Sequence, residues 1–336
     1  METSTTGTSP TPSSPVVGRF APTPSGRMHL GNALAALLAW LGARSAGGRI
    51  LLRIEDLDPR AADPEAARLI LEDLAWLGLD WDAGPTFQSE RRQLYAGAVS
   101  ALHDADLTYP CFCTRGELHA ASAPHASDGT YVYQGTCRDL SADEVAAKAR
   151  RRTPACRLAV PAPGDPAGIV HVHDLVFGDL SEDLGRDCGD FLVQRSDGVT
   201  AYQLAVTLDD ALMGVTQVVR GRDLMGSAAR QTWLRATLAR LGAVPAGAAA
   251  PPEFAHVPLL VAPDGRRLSK REHDLDLGAI RARGVPAPRV VGRLAACVGL
   301  AEAREDVMPD ELLARFSWEV VRAHRGDVTV REGFLG

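Results

Sequence analysis

The chain has 336 residues, of which 46% are hydrophobic and 23% are charged, and its formal net charge is −6. This length supports one large domain with an insertion or two domains, and the negative charge argues against a protein that coats nucleic acid through bulk positive charge. No apolar run approaches the roughly 20 residues of a membrane-spanning helix, and residues 1–15 lack the basic start and hydrophobic stretch of a secretion signal. We therefore expect a cytoplasmic protein with no membrane partner and a disordered tail over residues 1–15.

The first elements after this tail alternate between strand and helix. VVGRF predicts a short buried strand, leucines at helical spacing from Leu30 predict a helix that ends before Gly47, and RILLRIED predicts a second strand. Strand, turn, helix and strand form the βαβ unit of a parallel sheet. Two further helices are predicted over residues 65–78 and 90–105, the second with Ser89 as its N-cap.

The pattern changes after residue 108. Residues 109–187 are rich in turns and contain three clustered cysteines, a helical stretch (SADEVAAKARRR) and strand-like pieces. We interpret them as an insertion between residues 16–108 and 188–245, which are the two halves of one catalytic domain. Residues 246–336 contain a Pro-Asp-Gly turn, a basic loop and helical sequence. The predicted fold is therefore α/β, a Rossmann-type doubly wound parallel sheet that is interrupted by an insertion and followed by a helical C-terminal segment.

The turn after the first strand, APTPSGRMHLGN, has the composition of a phosphate site. Gly26 and Gly31 lack side chains, and the helix is predicted to begin near His29 with free backbone N–H groups, which attract phosphate through their unpaired donors and the helix dipole. His29 and Asn32 are three residues apart and share one side of the first turn. The composition alone is equally compatible with a plain strand-to-helix connection, and it matches neither a Walker loop nor a dinucleotide fingerprint.

Five blocks of sequence carry a resemblance to a known family. RFAPTPSGRMHLGN resembles the HIGH signature of class I aminoacyl-tRNA synthetases in their glutamyl form, and RIEDLDP at residues 53–59 resembles the next block. RLSKR at residues 267–271 resembles the KMSKS loop of the same family. Between them, in the expected order, lie DFLVQRSDGVTAYQLAVTLDD at 190–210 and VVRGRDL at 218–224. Five ordered blocks are far more specific than any one of them.

The C-terminal segment resembles a shortened branch of this family. A full glutamyl-tRNA synthetase carries a longer anticodon-binding region after the lysine loop, where this sequence has residues 272–336. The resemblance implies that ATP activates L-glutamate to glutamyl-adenylate, and that glutamate is then transferred to queuosine, a modified base at the wobble position of tRNA(Asp). It further implies that the catalytic domain faces the anticodon loop. Arg138 and the cluster Arg150, Arg151 and Arg152 are candidates for phosphate contacts there, and a solvated helix face explains the cluster equally well. We expect a monomer.

Three other functions remain open at this point. One is a shortened glutamyl-tRNA synthetase that charges the acceptor end of its tRNA, and another is a non-catalytic, zinc-bearing RNA-binding paralogue. The third is a small-molecule nucleotidylyltransferase. Because the sequence contains residues for a glutamate pocket together with both ATP signatures, the last two are disfavoured.

The ATP site and the catalytic residues are implied by the resemblance. His29 and Asn32 would contact the triphosphate, and Lys270 would place its ammonium group on the departing phosphates, with Mg²⁺ accompanying ATP. Gly31 and Ser269 complete the implied ATP site. Without the other blocks, RRLSKRE would be interpreted as an ordinary solvated loop.

The glutamate site is likewise implied by the resemblance. An arginine fork reads a carboxylate through two parallel hydrogen bonds and discriminates against the neutral amide of glutamine. The alternatives are an internal salt-bridge network for the charged residues and core packing for the tyrosine. The implied glutamate-binding residues are Arg19, Phe20, Ala21, Pro22, Thr23, Glu55, Tyr202 and Arg220. Four nearby aspartates receive no catalytic or metal role, because such residues commonly cap or brace turns: Asp56, Asp58, Asp209 and Asp210.

The cysteines of CFC and YVYQGTC offer three thiolates within a short stretch. Zinc prefers four tetrahedral ligands, so one position remains, and ligand chemistry alone favours His119 or His125 for it. The shortened branch of the family implies Tyr133 instead, because Tyr-x-x-x-Cys ending at Cys137 matches its zinc pattern. Such a zinc ion would be structural and would make the insertion zinc-bearing, whereas the alternative is three free cysteines in a reduced protein. The implied metal ligands are Cys111, Cys113, Tyr133 and Cys137.

Overall fold

The computed structural model describes residues 15–114, 116–117, 132–266 and 276–336. The helices within these ranges are α1 (Leu30–Ser45), α2 (Pro64–Trp76), α3 (Arg92–Asp104), α4 (Ala142–Ala149), α5 (Tyr202–Leu212), α6 (Ala228–Arg240), α7 (Leu277–Ala282), α8 (Ala287–Ala296) and α9 (Trp318–Ala323). The strands are β1 (Val17–Phe20), β2 (Arg49–Ile54), β3 (Ala83–Phe87), β4 (Thr108–Cys111), β5 (Ala155–Leu158), β6 (Ile169–Asp174), β7 (Gly178–Asp183), β8 (Phe191–Gln194), β9 (Gln217–Gly221), β10 (Glu253–Val257), β11 (Leu260–Val261) and β12 (Val328–Thr329). Among the helices in these ranges, none is long and apolar enough to cross a membrane.

Parallel strands form the centre of the fold, as the sequence predicts. β1, β2 and β3 pair in parallel on one side, and β9, β10 and β6 pair in parallel on the other, with β7 returning antiparallel to β6. β1 and β9 meet where the backbone N–H of Thr216 donates to the carbonyl of Val17 at 2.9 Å. The chain leaves β1 through α1 towards β2 and leaves β9 towards β10. In an open α/β sheet, ligands bind at the carboxyl ends of the strands where the order reverses in this way.

Helix α1 connects β1 to β2 and is almost wholly buried. Leu30, Leu34, Leu38 and Leu41 recur at helical spacing and are fully buried in the main core cluster. The helix ends at Ser45, and Gly47 follows with a φ of +65°, a conformation that glycine adopts without a steric penalty. The predicted helix and its stop are therefore confirmed.

A second, antiparallel sheet is made by β4, β5 and β8. The two sheets interleave along the chain, because β6 pairs with β10 of the parallel sheet, whereas β8, which comes later in the sequence, pairs with β5. Helix α4 begins with a capping box between Ser141 and Glu144, and it confirms the helix predicted in the region of SADEVAAKARRR.

The predicted N-cap role of Ser89 is wrong. Helix α3 begins at Arg92 after a short 3₁₀ turn, and no side chain caps it. Ser89 donates instead from its backbone N–H and its hydroxyl to the carboxylate of Asp56, at 2.8 and 2.6 Å. Ser89 therefore bonds to Asp56, which is distant in the sequence, and does not cap the helix as the local sequence predicted.

Candidate active site and metal centre

A cleft of about 190 Å³ opens between the carboxyl ends of β1 and β9 and the first turn of α1. Thr23 is exposed and is not among its lining residues, and Ser269 and Lys270 lie outside the residues that the structure describes. The structure nevertheless brings together both ends of the predicted site, the amino-acid end and the ATP end. The predicted residues that line the cleft are Arg19, Phe20, Ala21, Pro22, His29, Gly31, Asn32, Glu55, Tyr202 and Arg220.

The start of α1 is capped by the ring of His29. Its Nδ1 accepts the backbone N–H groups of Gly31 and Asn32 at 3.1 and 3.3 Å, and the Asn32 Oδ1 accepts the backbone N–H of His29 at 3.4 Å. The prediction that these backbone groups are free is therefore wrong, because the signature histidine itself occupies two of them. Since Nδ1 accepts, the ring hydrogen resides on Nε2.

Glu55 is held by an arginine that sequence reasoning missed. Arg53 has no exposed surface and donates from Nη1 to the Asp210 Oδ1 at 2.6 Å and from Nη2 to the Glu55 Oε1 at 3.0 Å. The Glu55 side chain is only 10% exposed, and burial raises its pKa although the Arg53 charge lowers it. Glu55 therefore both forms an internal ion pair with Arg53 and lines the cleft.

Two arginines place buried positive charge along the cleft. Arg19 donates from Nη1 to the Val219 carbonyl at 2.9 Å, and its Nε lies 3.8 Å from the Asp210 Oδ1. Arg220 donates from Nε to the His256 Nε2 at 3.1 Å and from Nη1 to Gln231 at 2.8 Å. The Arg220 Nη2 has no hydrogen-bond partner within the described part of the chain. Two guanidinium groups in a cleft of this size favour a ligand with carboxylate groups.

Tyr202 is the first residue of α5, and 41% of its surface is exposed. Core packing is therefore wrong as an interpretation of this side chain. Because Tyr202 lines the cleft while remaining accessible, its ring and hydroxyl are available to a bound ligand.

The four unassigned aspartates brace the fold, as expected. Asp56 accepts both groups of Ser89, and Asp58 accepts from Arg195 at 2.7 Å. Asp209 is fully buried and accepts from three side chains, those of Gln88, Arg91 and Tyr95, at 2.7–2.8 Å, while Asp210 pairs with Arg53.

Cys111, Cys113 and Cys137 meet in one cluster. The sulfur atoms of Cys111, Cys113 and Cys137 all lie within 4.8 Å of one another, and those of Cys113 and Cys137 are 3.6 Å apart. The Tyr133 hydroxyl lies 3.7 and 3.6 Å from the sulfurs of Cys111 and Cys113. Tetrahedral zinc with bonds of about 2.3 Å to sulfur requires ligand separations of about 3.5–3.8 Å, and the three separations of 3.6–3.7 Å fit this requirement. His119 and His125 lie outside the described residues.

Arg157 packs against this cluster. Its Nε donates to the Cys111 sulfur at 3.1 Å, and its guanidinium lies 3.7 Å from the centre of the Tyr133 ring. Burial opposes ionisation of the Cys111 thiol, but the Arg157 charge and the hydrogen bonds to the sulfur, from Arg157, Tyr133 and the Cys113 backbone, together lower the pKa of that thiol. A cation at this position partly neutralises a set of negatively charged ligands.

Two of the basic residues predicted near the tRNA have contacts within the protein. Arg138 donates to Asp190 at 3.2 Å, and Arg152 donates to the carbonyl of Phe112 at 3.1 Å. Both therefore have protein partners near the cysteine cluster.

Comparison with known proteins identifies the family. The model of the tRNA synthetases class I (E and Q), catalytic domain, matches residues 15–326. The chain belongs to this family and is a ligase of the aminoacyl-tRNA synthetase type.

Its relatives carry a more particular name. A protein named Glutamyl-Q tRNA(Asp) synthetase from Symbiobacterium thermophilum is 48% identical over 91% of this chain and 95% of the relative. The protein of the same name from Deinococcus radiodurans is 45% identical over 92% and 98% of the two chains. Among solved structures, a glutamate tRNA ligase from Elizabethkingia meningosepticum, in complex with its amino acid, has a TM-score of 0.74 and 26% identity, covering 96% of this chain and 68% of that one.

Proposed function

We propose that this chain uses ATP to activate L-glutamate as glutamyl-adenylate and then transfers glutamate to the queuosine base of tRNA(Asp). The observation that carries the proposal is the cleft itself. It combines two buried guanidinium groups, of Arg19 and Arg220, with the carboxylate of Glu55 and the His29-capped start of α1. A ligand with two carboxylates, one ammonium group and a neighbouring triphosphate matches this arrangement.

Charge complementarity supports glutamate as the amino acid. The side-chain carboxylate of glutamate pairs with a guanidinium through two parallel hydrogen bonds, whereas the amide of glutamine places two N–H donors against another donor. Arg19 and Arg220 supply the guanidinium groups, Glu55 accepts the ammonium group, and Tyr202 lies at the accessible side of the cleft. Residues 20–23 (Phe-Ala-Pro-Thr) complete the proposed glutamate site.

The start of α1 supports the ATP end of the site. The Nε2–H group of His29 can donate to a phosphate oxygen, because its Nδ1 already accepts from the backbone. The side-chain NH₂ group of Asn32 is a second donor, because the Asn32 Oδ1 already accepts the backbone N–H of His29. In the proposed first step, an oxygen of the glutamate α-carboxylate attacks the α-phosphorus, and the bond to the bridging oxygen of pyrophosphate breaks. Gly31 allows close approach, while Ser269, Lys270 and Mg²⁺ are proposed to neutralise the departing phosphates.

The second step transfers glutamate from the adenylate. A hydroxyl of the cyclopentenediol of queuosine attacks the glutamyl carbonyl, an ester forms, and AMP departs. The names of relatives that are 45–48% identical over most of their length support this acceptor. A shortened synthetase that charges the acceptor end is the second candidate, because the solved structure with 26% identity is that of a glutamate tRNA ligase.

We also propose that Cys111, Cys113, Tyr133 and Cys137 bind one structural Zn²⁺. The fit of their spacing to tetrahedral ligation supports this assignment. With four protein ligands, the ion has no open position for substrate, so it would stabilise the insertion and take no part in the transfer.

The acceptor is tested with labelled glutamate, ATP and three tRNAs: tRNA(Asp) with queuosine, tRNA(Asp) without it, and tRNA(Glu). We expect label only on the first, and we expect it to persist after removal of the 3′-terminal adenosine and to map to the anticodon fragment after nuclease digestion. Label on tRNA(Glu) alone would contradict the queuosine acceptor. Glutamate-dependent exchange of pyrophosphate into ATP tests the activation step separately. Replacing Lys270 with alanine should slow this exchange by about 100-fold or more, and an unchanged rate would remove Lys270 from the mechanism.

A further inference from the structure

Three buried polar side chains form a chain behind the cleft. Asp174 ends β6, His256 lies on β10 and Arg220 lies on β9, and these strands are parallel neighbours in the order β6, β10, β9. His256 and Arg220 are direct register partners. The exposed fractions of Asp174, His256 and Arg220 are 0%, 0% and 5%. Strand pairing therefore aligns groups that are far apart in sequence.

The contacts fix the tautomer of His256. Its Nδ1 lies 2.6 Å from the Asp174 Oδ2, and its Nε2 lies 3.1 Å from the Arg220 Nε. An ionised carboxylate only accepts and a guanidinium only donates, so Nδ1 carries the hydrogen and Nε2 accepts. Burial lowers the pKa of His256, although Asp174 opposes the shift, and this direction agrees with a neutral ring.

The remaining contacts of Arg220 leave its guanidinium little freedom. Its Nη1 donates to the side chain of Gln231 at 2.8 Å, and its central carbon lies 5.2 Å from the centre of the Phe254 ring. The same ring stacks on the His256 ring with an interplanar angle of 10°. Nε and Nη1 are thus held by protein groups, whereas Nη2 is buried and has no partner in the ranges described.

We propose that Asp174 and His256 are positioning residues for amino-acid recognition. Asp174 selects the tautomer of His256, His256 presents an acceptor to the Arg220 Nε, and the guanidinium is thereby oriented for a substrate carboxylate. This inference rests on the proposed binding of glutamate by Arg220. It adds two residues that do not line the cleft and that act through Arg220.

The variant D174N tests the selection of the tautomer. The carbonyl oxygen of asparagine still accepts the backbone N–H groups of Val176 and Phe177, which Asp174 Oδ1 accepts at 2.9 and 2.8 Å. Its amide then donates towards the His256 Nδ1, so the ring hydrogen moves to Nε2 and opposes the donor of Arg220. The same amide also faces the backbone N–H of His256, which the Asp174 Oδ2 accepts at 3.1 Å, so D174N also lowers stability, and the tautomer separates the two effects. We expect the KM for glutamate in pyrophosphate exchange, measured with queuosine-containing tRNA(Asp) present, to rise by about tenfold or more, while the KM for ATP stays within about twofold.

A second pair of variants separates positioning from folding. H256Q places an amide oxygen near the position of Nε2 and should retain most of the affinity for glutamate, whereas H256L removes the acceptor and should behave like D174N. ¹⁵N-histidine NMR gives a direct readout: the wild-type signal that is missing in H256Q should show a protonated Nδ1, and D174N should show a protonated Nε2. A purely structural role would alter thermal stability without exchanging these two signals.

The chain contains a matched control on the exposed face of the β6–β7 hairpin. The side chains of His173 and Asp179 form the same pair, with the Nδ1 2.7 Å from the carboxylate, but they are 58% and 91% exposed. D179N and H173Q should leave both KM values unchanged. A D174N enzyme with the wild-type KM for glutamate, or a wild-type His256 protonated at Nε2, overturns the positioning role. A wild-type enzyme with no glutamate-dependent exchange overturns the proposed function instead, and the NMR result still reports on the tautomer.

Discussion

Arg53 and Glu55 form an ion pair of 3.0 Å at the end of β2, with the arginine fully buried and the glutamate at the wall of the cleft. Residues two apart on a strand point to the same face, so the pair follows from the local sequence once RILLRIE is a strand. Arg53 also pairs with Asp210 from α5 and thus connects the two halves of the site.

We predict that E55Q separates binding from stability. Glutamine retains an oxygen that accepts from Arg53, but it loses the negative charge that would face the substrate ammonium group. The KM for glutamate should rise by about 10- to 100-fold while the free energy of unfolding changes by less than about 1 kcal/mol. Pyrophosphate exchange and urea unfolding measure the two quantities. E65Q, at an exposed glutamate of α2, is the matched control, and an equal effect of both variants would exclude a role for Glu55 in binding.

R53M, in contrast to E55Q, should mainly lower the stability of the fold. Removing the guanidinium leaves the carboxylates of Glu55, Asp209 and Asp210 buried without their shared cation. Breaking a buried ion pair in this way costs about 3–5 kcal/mol. We therefore expect a large decrease in the free energy of unfolding by urea, and a loss below about 1 kcal/mol would show that water or a rearrangement replaces Arg53.

H29N should retain the helix cap and lose phosphate binding. Asparagine is among the best N-cap residues, so it can accept the backbone N–H groups that the His29 Nδ1 now accepts. Its short side chain lacks the Nε2–H group on the far side of the ring. We expect a melting temperature close to that of the wild type and pyrophosphate exchange slower by about 100-fold, whereas H29A should also lose about 1 kcal/mol of stability. H103N, at an exposed histidine of α3, serves as the control, and wild-type exchange in H29N would show that the ring does not contact ATP.

The sequence alone predicted most of the residues that line the cleft, but it did not predict Arg53 and His256, which contact those residues from behind. His29, Glu55, Tyr202 and Arg220 belong to blocks whose order identifies the family. His256 belongs to no such block, and its role depends on the parallel register that places it beside Arg220. The error at the start of α1 has a different cause, because a side-chain rotamer, which no spacing pattern specifies, decided that His29 caps its own helix.

Y133F tests the fourth ligand of the metal centre. The Tyr133 hydroxyl lies near two sulfurs and accepts the backbone N–H of Cys137 at 2.8 Å. The wild type should contain about one zinc ion per chain. Y133F should release the ion to a chelator faster and should melt at a lower temperature, as measured by a colorimetric zinc assay and calorimetry. H119A and H125A should behave like the wild type. Faster release from either histidine variant, with normal release from Y133F, would assign the fourth position to a histidine.

Asp73 on α2 gives the protein a pH-dependent stability. Its side chain has no exposed surface, and burial raises the pKa of Asp73 to about 6 although the Arg27 Nη1 lies 2.8 Å from its Oδ1. The unfolded chain has the ordinary aspartate pKa of about 3.9. Between these values the folded state holds a proton that the unfolded state has lost, so the free energy of unfolding falls as the pH rises from about 4 to 6. The cost is absent below this window and fully present above it.

D73N removes this titration and should abolish the part of the pH dependence that Asp73 causes. The difference in the free energy of unfolding, D73N minus wild type, should increase by about 2 kcal/mol between pH 4 and pH 7, because the two pKa values differ by about two units of about 1.4 kcal/mol each and part of the change occurs below pH 4. The loss of the Arg27 hydrogen bond shifts this difference by a constant and does not alter its slope. Urea unfolding at several pH values measures it, with D104N, at an exposed aspartate of α3, as the control. A difference that stays constant with pH would mean that Asp73 is already ionised at pH 4 in the folded state, so that Arg27 outweighs the cost of burial.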